Sequence, residues 1–167
     1  MRHASFVEKI LFFQRLCCGV LLVLSMTACG FFQSSDQNPE RGGVDGVLKT
    51  AYSQIGKKYR AGGSSPKKGF DCSGFTYWVY REHGYKIPRI SADQAKAGNA
   101  VSRKKAKKGD LLVFRVQNSP RGLHTGICTG RNRFIHSPSK GKSIKIDRLD
   151  NGYWKDKLIA VRRIVRN

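Results

Sequence analysis

The sequence predicts an α+β domain with N-terminal helices packed on a central antiparallel β-sheet. Three observations support this. Apolar residues recur at helical spacing in the stretches that end at Gly56 and Gly84, and beyond Gly109 they gather instead in short β-rich runs. Turn residues separate those runs closely, which favours antiparallel pairing. Hydrophobic residues make up 40% of the 167, enough to expect a folded core despite a formal net charge of +21.

Residues 1–28 read as an export leader. Arg2, Lys9 and Arg15 precede an apolar stretch from Leu16 to Met26, and Thr27-Ala28-Cys29 follows. Gln14 and Arg15 interrupt that stretch upstream, leaving it shorter than the ~20 apolar residues that span a bilayer. Small residues followed by cysteine resemble a bacterial lipobox, which implies lipidation at Cys29 and attachment to a membrane through it. Cleavage there leaves 29 basic and 10 acidic residues. Export turns so basic a chain away from nucleic acid and toward anionic envelope polymers or lipid phosphates. Residues 29–43, rich in Ser, Gly, Asn and Gln, read as a flexible tether, and the domain proper spans 44–167.

Val44, Val47, Leu48, Ala51 and Ile55 mark a first amphipathic helix that stops at Gly56. A loop over Gly62-Gly63-Ser64-Ser65-Pro66 leads to a second helix, which starts near Asp71-Cys72 and ends at Gly84. Ser91-Ala92-Asp93-Gln94 has the Ser-x-x-Gln pattern of a capping box and predicts a short third helix ending by Gly98. Arg103-Lys104-Lys105-Ala106-Lys107-Lys108 reads as a solvated basic face. Strands are expected over 111–116, 125–129, 133–137, 143–147 and 158–165.

Loss of the leader and lipidation of Cys29 leave Cys72 and Cys128, either a disulfide pair or two separate thiols. Context favours the second reading. Cys72 falls at a helix N-terminus, where exposed N–H groups and the helix dipole are expected to lower a thiol pKa and to stabilise an oxyanion. Cys128 sits mid-strand among apolar neighbours. A nucleophilic cysteine needs a base. His83 lies 11 residues along the same helix, ~16 Å away, and suits the helix C-terminus instead. A hairpin centred on Gly130 would place His124 directly opposite His136, so that one imidazole could act as base and the other orient it. A zinc site built from the same three side chains lacks any Cys-x-x-Cys or His-x-x-x-His spacing. Ala61-Gly62-Gly63 lacks the spacing of a phosphate loop.

These residues resemble the NlpC family of bacterial cell-wall cysteine peptidases, a compact papain-like α+β fold. The resemblance runs over nearly all of residues 44–165. It is carried by the ordered blocks Gly56-Lys57-Lys58-Tyr59-Arg60-Ala61-Gly62-Gly63, Gly69-Phe70-Asp71-Cys72-Ser73-Gly74-Phe75, Pro88-Arg89-Ile90-Ser91-Ala92-Asp93-Gln94, Lys108-Gly109-Asp110-Leu111-Leu112-Val113-Phe114, His124-Thr125-Gly126-Ile127 and Phe134-Ile135-His136-Ser137. It implies Cys72 as nucleophile, His124 as general base and acid, and His136 as its orienting partner. It implies that Tyr59, Asp71 and Ser73 contact substrate or oxyanion, with helix capping an equal alternative for Asp71. It further implies a peptidoglycan endopeptidase acting as a monomer on stem peptides, without cofactor or metal. Two rival functions share the fold: a peptidoglycan-binding lipoprotein without turnover, and an amide acyltransferase. Gly30 after the lipidated cysteine favours the outer membrane, facing the periplasm, in a host with two membranes.

Overall fold

The structure is a computed structural model that describes residues 42–117 and 122–166. The predicted leader, the lipobox cysteine and the tether as far as residue 41 lie outside the described residues; the last two tether residues are corrected, Gly42 being the cap and Gly43 the first residue of the first helix. Helix α1 spans Gly43–Tyr52 and buries Val47, Leu48 and Ala51. It stops three residues short of Ile55, which is exposed in the turn that follows. The expected loop at Gly62–Pro66 instead forms a small antiparallel ribbon, β1 (Ser64–Ser65) with β2 (Gly69–Phe70). This ribbon delivers the chain to α2, Cys72–Glu82. Asp71 is the N-cap, its carboxylate accepting the Gly74 N–H at 2.6 Å. His83 is the C-cap, and its Nε2 lies 2.8 Å from Thr50 Oγ1 on α1.

The capping box is corrected by the structure. Helix α3 covers Ser91–Gln94, but its N-cap is Ile90 and no side chain caps it. Ser91 is buried, and the fully buried Gln94 turns its amide toward α2, donating to Ser73 O at 2.9 Å and Pro88 O at 2.8 Å. Gln94 Oε1 also accepts from Thr76 Oγ1 at 2.8 Å. Two buried bonds to α2 and a part-buried one to Pro88 O outweigh one exposed cap.

The larger sheet comprises β3 (Asn99–Val101), β4 (Leu111–Arg115), β5 (Leu123–Gly130), β6 (Arg133–His136), β7 (Lys145–Arg148) and β8 (Leu158–Arg163). Its order is β3-β8-β4-β5-β6-β7, with every neighbour antiparallel. Strand β3 and the one-turn 3-10 helix Arg103–Lys105 were not expected from the sequence; Asn-Ala-Val is too short to show a period. Leu111 through Phe114 are all fully buried because apolar layers cover both sheet faces. One layer joins α1 and α2 to the sheet through Val47, Phe75, Val79, Leu111, Ile127 and Ile135. On the other, Leu112, Phe114, Cys128, Phe134 and Val161 pack with Trp154. Among the described residues, no helix is long and apolar enough to cross a membrane.

Candidate active site

The β5–β6 hairpin turns on Arg131 and Asn132, both with positive φ (49° and 56°), and not on Gly130. Two consecutive left-handed residues make the tight turn whose twist suits a hairpin. Gly130 pairs with Arg133, an odd register sum that would throw His124 and His136 onto opposite faces. An irregularity between Cys128 and Gly130 restores the even register, with Cys128 opposite Phe134 and Ile127 opposite Ile135. The histidines therefore share a face, but are offset diagonally, not directly opposed as the sequence suggested. Gly126 makes the crossing possible: a Cβ there would meet Phe134 Cδ2 at 2.8 Å and His136 Cβ at 3.1 Å.

His124 Nε2 lies 2.7 Å from His136 Nδ1, and His136 Nε2 lies 3.0 Å from Asp147 Oδ2. Asp147 is the member that sequence reasoning missed. Its carboxylate also accepts from Trp154 Nε1 at 3.1 Å and pairs with Lys145 Nζ at 2.8 Å. These donors, His136 first, hold its pKa well below the usual carboxylate range. An ionised Asp147 can only accept, so His136 carries its proton on Nε2 and accepts at Nδ1. His124 must then donate from Nε2, which leaves its Nδ1 lone pair unprotonated. Trp154 covers this chain, its ring 5.3 Å from the His124 ring and 5.2 Å from that of His136.

Cys72, Tyr59, His124, His136 and Asp147 line one cavity of about 720 Å³. Both Cys72 and Cys128 are free thiols. Burial pushes the Cys72 thiol up, and the Asp71 carboxylate adds to this; backbone hydrogen bonds from Thr125, Ser73 and Cys72 oppose it. This reverses the expectation of a lowered thiol, because desolvation of the anion outweighs the helix N-terminus. Burial also drives His124 well below its ordinary value, with a smaller push from His136. The resting pair is thus neutral thiol and neutral imidazole. Tyr59 is held by backbone bonds to both sides, its N–H donating to Lys142 O at 2.9 Å while Arg60 N donates to Phe70 O at 2.9 Å. Partial burial raises its phenol, so the hydroxyl keeps its proton as a donor.

Asp71 and Ser73 are bound up with Arg89. Arg89 reaches Asp71 through two bonds, 3.0 and 2.7 Å, Ser73 Oγ at 3.1 Å and Gly63 O at 3.2 Å. Asp71 Oδ2 also accepts from Gly62 N at 3.1 Å. Arg89 belongs to a block quoted for the resemblance, yet nothing in its local spacing shows that it reaches back 18 residues to the helix cap.

Comparison with known proteins bears on the family and the fold. The chain is 39% identical over 137 residues to the gamma-D-glutamyl-L-lysine dipeptidyl-peptidase of Bacillus subtilis (strain 168), covering 80% of this chain and 46% of that protein. It is 40% identical over 115 residues to murein DD-endopeptidase MepH of Escherichia coli (strain K12), covering 67% and 42%. Over 111 residues it is 40% identical to murein DD-endopeptidase MepS/murein LD-carboxypeptidase of Escherichia coli (strain K12), covering 66% and 57%. The chain thus spans about half the length of these curated relatives. Among solved structures, the NlpC/p60 domain of peptidoglycan hydrolase SagA superposes with a TM-score of 0.62 at 34% identity, over 72% of this chain and 97% of that one. An NlpC/P60 family protein from Bacillus cereus ATCC 10987 gives 0.68 at 33% identity, over 74% and 40%. The NlpC/P60 family model matches residues 56–163, and with the α+β fold and the Cys72–His124–His136 site the chain belongs to the NlpC/P60 family.

Proposed function

We propose that the protein is a peptidoglycan endopeptidase that hydrolyses an amide bond in stem peptides or their crosslinks through an acyl-enzyme on Cys72. The observation that carries this is the hydrogen-bond chain Asp147–His136–His124, which leaves His124 Nδ1 unprotonated on a residue that lines the same cavity as Cys72. His124 Nδ1 takes the thiol proton as sulfur attacks the carbonyl carbon. Backbone N–H groups at the start of α2 and the Tyr59 hydroxyl are the donors available to the oxyanion. His124 then gives its proton to the leaving amine, the C–N bond breaks, and the acyl group stays on sulfur. Water, deprotonated by His124, attacks the thioester; the C–S bond breaks, releasing the carboxylic acid and restoring the thiol. Asp71, Ser73 and Arg89 act by holding the first turn of α2, since their polar atoms already satisfy one another.

The leader supports a lipoprotein anchored at Cys29, on the periplasmic face of the outer membrane where the host has two membranes. The domain acts as a monomer.

Mass spectrometry of peptides released from purified sacculi tests the activity. The wild-type protein is expected to release fragments carrying one added water, and Cys72→Ala to release none. Fragments joined to an amine would mean acyl transfer, and sacculus binding without any Cys72-dependent product would mean a binding lipoprotein.

A pH profile tests the hydrogen-bond chain. Because His124 sits well below 6.5, the acid limb of kcat/KM is expected below pH 6.5. Asp147 raises both imidazoles. Asp147→Ala removes that anion, so the acid limb is expected to move to still lower pH while kcat falls about 100-fold and KM changes little. A loss of kcat with an unmoved limb would leave Asp147 as a packing residue.

A further inference from the structure

The longest basic run of the described domain lies away from the catalytic cavity, at the opposite end of strands β4 and β5. Arg103, Lys104, Lys105, Lys107 and Lys108 are all exposed just before β4 begins. The β5–β6 turn brings exposed Arg131 and Arg133 to the same end, because Gly109 N donates to Cys128 O at 2.9 Å and Lys108 carbons lie against Gly130. The neighbouring carboxylates are largely spoken for. Asp110 is buried and paired with Arg163 at 2.8 Å, and Asp150 is paired with Arg148 at 2.6 Å. Asp45 lines a shallow recess with Lys49 and Lys108 and offsets one of these charges. Val116 and His124, at the other end of the same strands, line the catalytic cavity. Eight residues of extended chain between Lys108 and Val116 separate the two ends by up to ~26 Å.

The chain also enters the domain at the basic end. Val44 packs on Gly109, a Cβ there falling 3.0 Å from Val44 Cγ1. Fifteen residues separate Val44 from Cys29, so that end can lie no more than about 54 Å of chain from a lipid anchor there. We infer that the end bearing Lys104, Lys105, Lys107, Lys108, Arg131 and Arg133 docks on a membrane carrying anionic phospholipid headgroups, with the Cys72 cavity turned away from the bilayer. This rests on the lipoprotein reading, but not on the chemistry of Cys72. A wall polymer held by the same patch would lie at the far end from the cavity that must cut it; a membrane there leaves the cavity facing the wall.

Vesicle flotation of the full-length chain carrying Cys29→Ser tests the inference without an acyl anchor. Phosphatidylcholine vesicles are compared with phosphatidylcholine–phosphatidylglycerol vesicles, and since the leader itself carries Arg2, Lys9 and Arg15, the patch is read from the difference between the Cys29→Ser chain and its patch variants, which share that leader. Binding is expected to be stronger with the anionic lipid, and Lys104→Gln with Lys105→Gln and Lys107→Gln is expected to weaken that binding ~100-fold. A thermal unfolding midpoint within a few degrees of that of the Cys29→Ser chain shows that the triple variant's fold is intact. Should it unfold, Arg131→Gln with Arg133→Gln replaces it, with ~10-fold weakening expected. Equal binding to both vesicles, or binding unchanged by either variant, overturns the inference. So does loss of sacculus binding with vesicle binding retained, which would assign the patch to a wall polymer.

Discussion

His124→Ala is expected to lower kcat about 10⁴-fold, with KM for murein peptides changed by no more than a small factor. The size follows from the resting state of the site. A thiol already ionised at rest would keep much of its nucleophilicity without a base, but burial holds Cys72 protonated and leaves His124 neutral. In the proposed mechanism the same imidazole therefore removes the thiol proton, protonates the leaving amine and activates water. Its partners act through it, so His124→Ala combined with His136→Ala is expected to be no slower than His124→Ala alone. Further loss in the double variant would show that His136 acts on substrate independently. A His124→Ala enzyme within tenfold of wild type would remove His124 from the mechanism.

Much of this site is legible in one dimension because its parts are local. Apolar periodicity and the stop at Gly84 are enough to place Cys72 at a helix start. The histidines are close enough along one hairpin that an even register sum puts them on one face, even with the turn misplaced by about two residues. Asp147 is not legible, because β7 inverts the usual alternation: Ile146 is 37% exposed while the Asp147 side chain is only 17% exposed. A period-two reading assigns Ile146 to the core and Asp147 to solvent. What decides the matter is Trp154, seven residues later, whose indole donates to Asp147 while its ring packs beside the histidines. The direction of the Cys72 pKa was missed for a related reason. A helix N-terminus can be read from sequence, but the depth at which β5 and the surrounding loops bury it cannot.

Gly74→Ala is expected to destabilise the domain by about 1–3 kcal/mol, although alanine is the better helix former by about 1 kcal/mol. Gly74 is the third residue of α2 and is buried. A Cβ there would lie 2.0 Å from Gly63 O and 2.9 Å from Arg89 Nη2. That carbonyl cannot yield freely, since it accepts from Asp71 N at 3.0 Å and from Arg89 Nη2 at 3.2 Å. Relief has to come from the first turn of α2, which would stretch the 2.6 Å bond from Gly74 N to Asp71 and move Cys72 two residues away. Overpacking of roughly 1–3 kcal/mol and a weakened cap of about 1 kcal/mol together exceed the propensity gain. A displacement of ~1 Å at the nucleophile is enough to cost about 100-fold in kcat. Thermal unfolding with a turnover assay measures both effects, with Gly152→Ala as control because a Cβ there meets nothing within 4 Å. A higher Tm for Gly74→Ala with kcat retained would mean that helix propensity wins and that the first turn of α2 is looser than its hydrogen bonds imply.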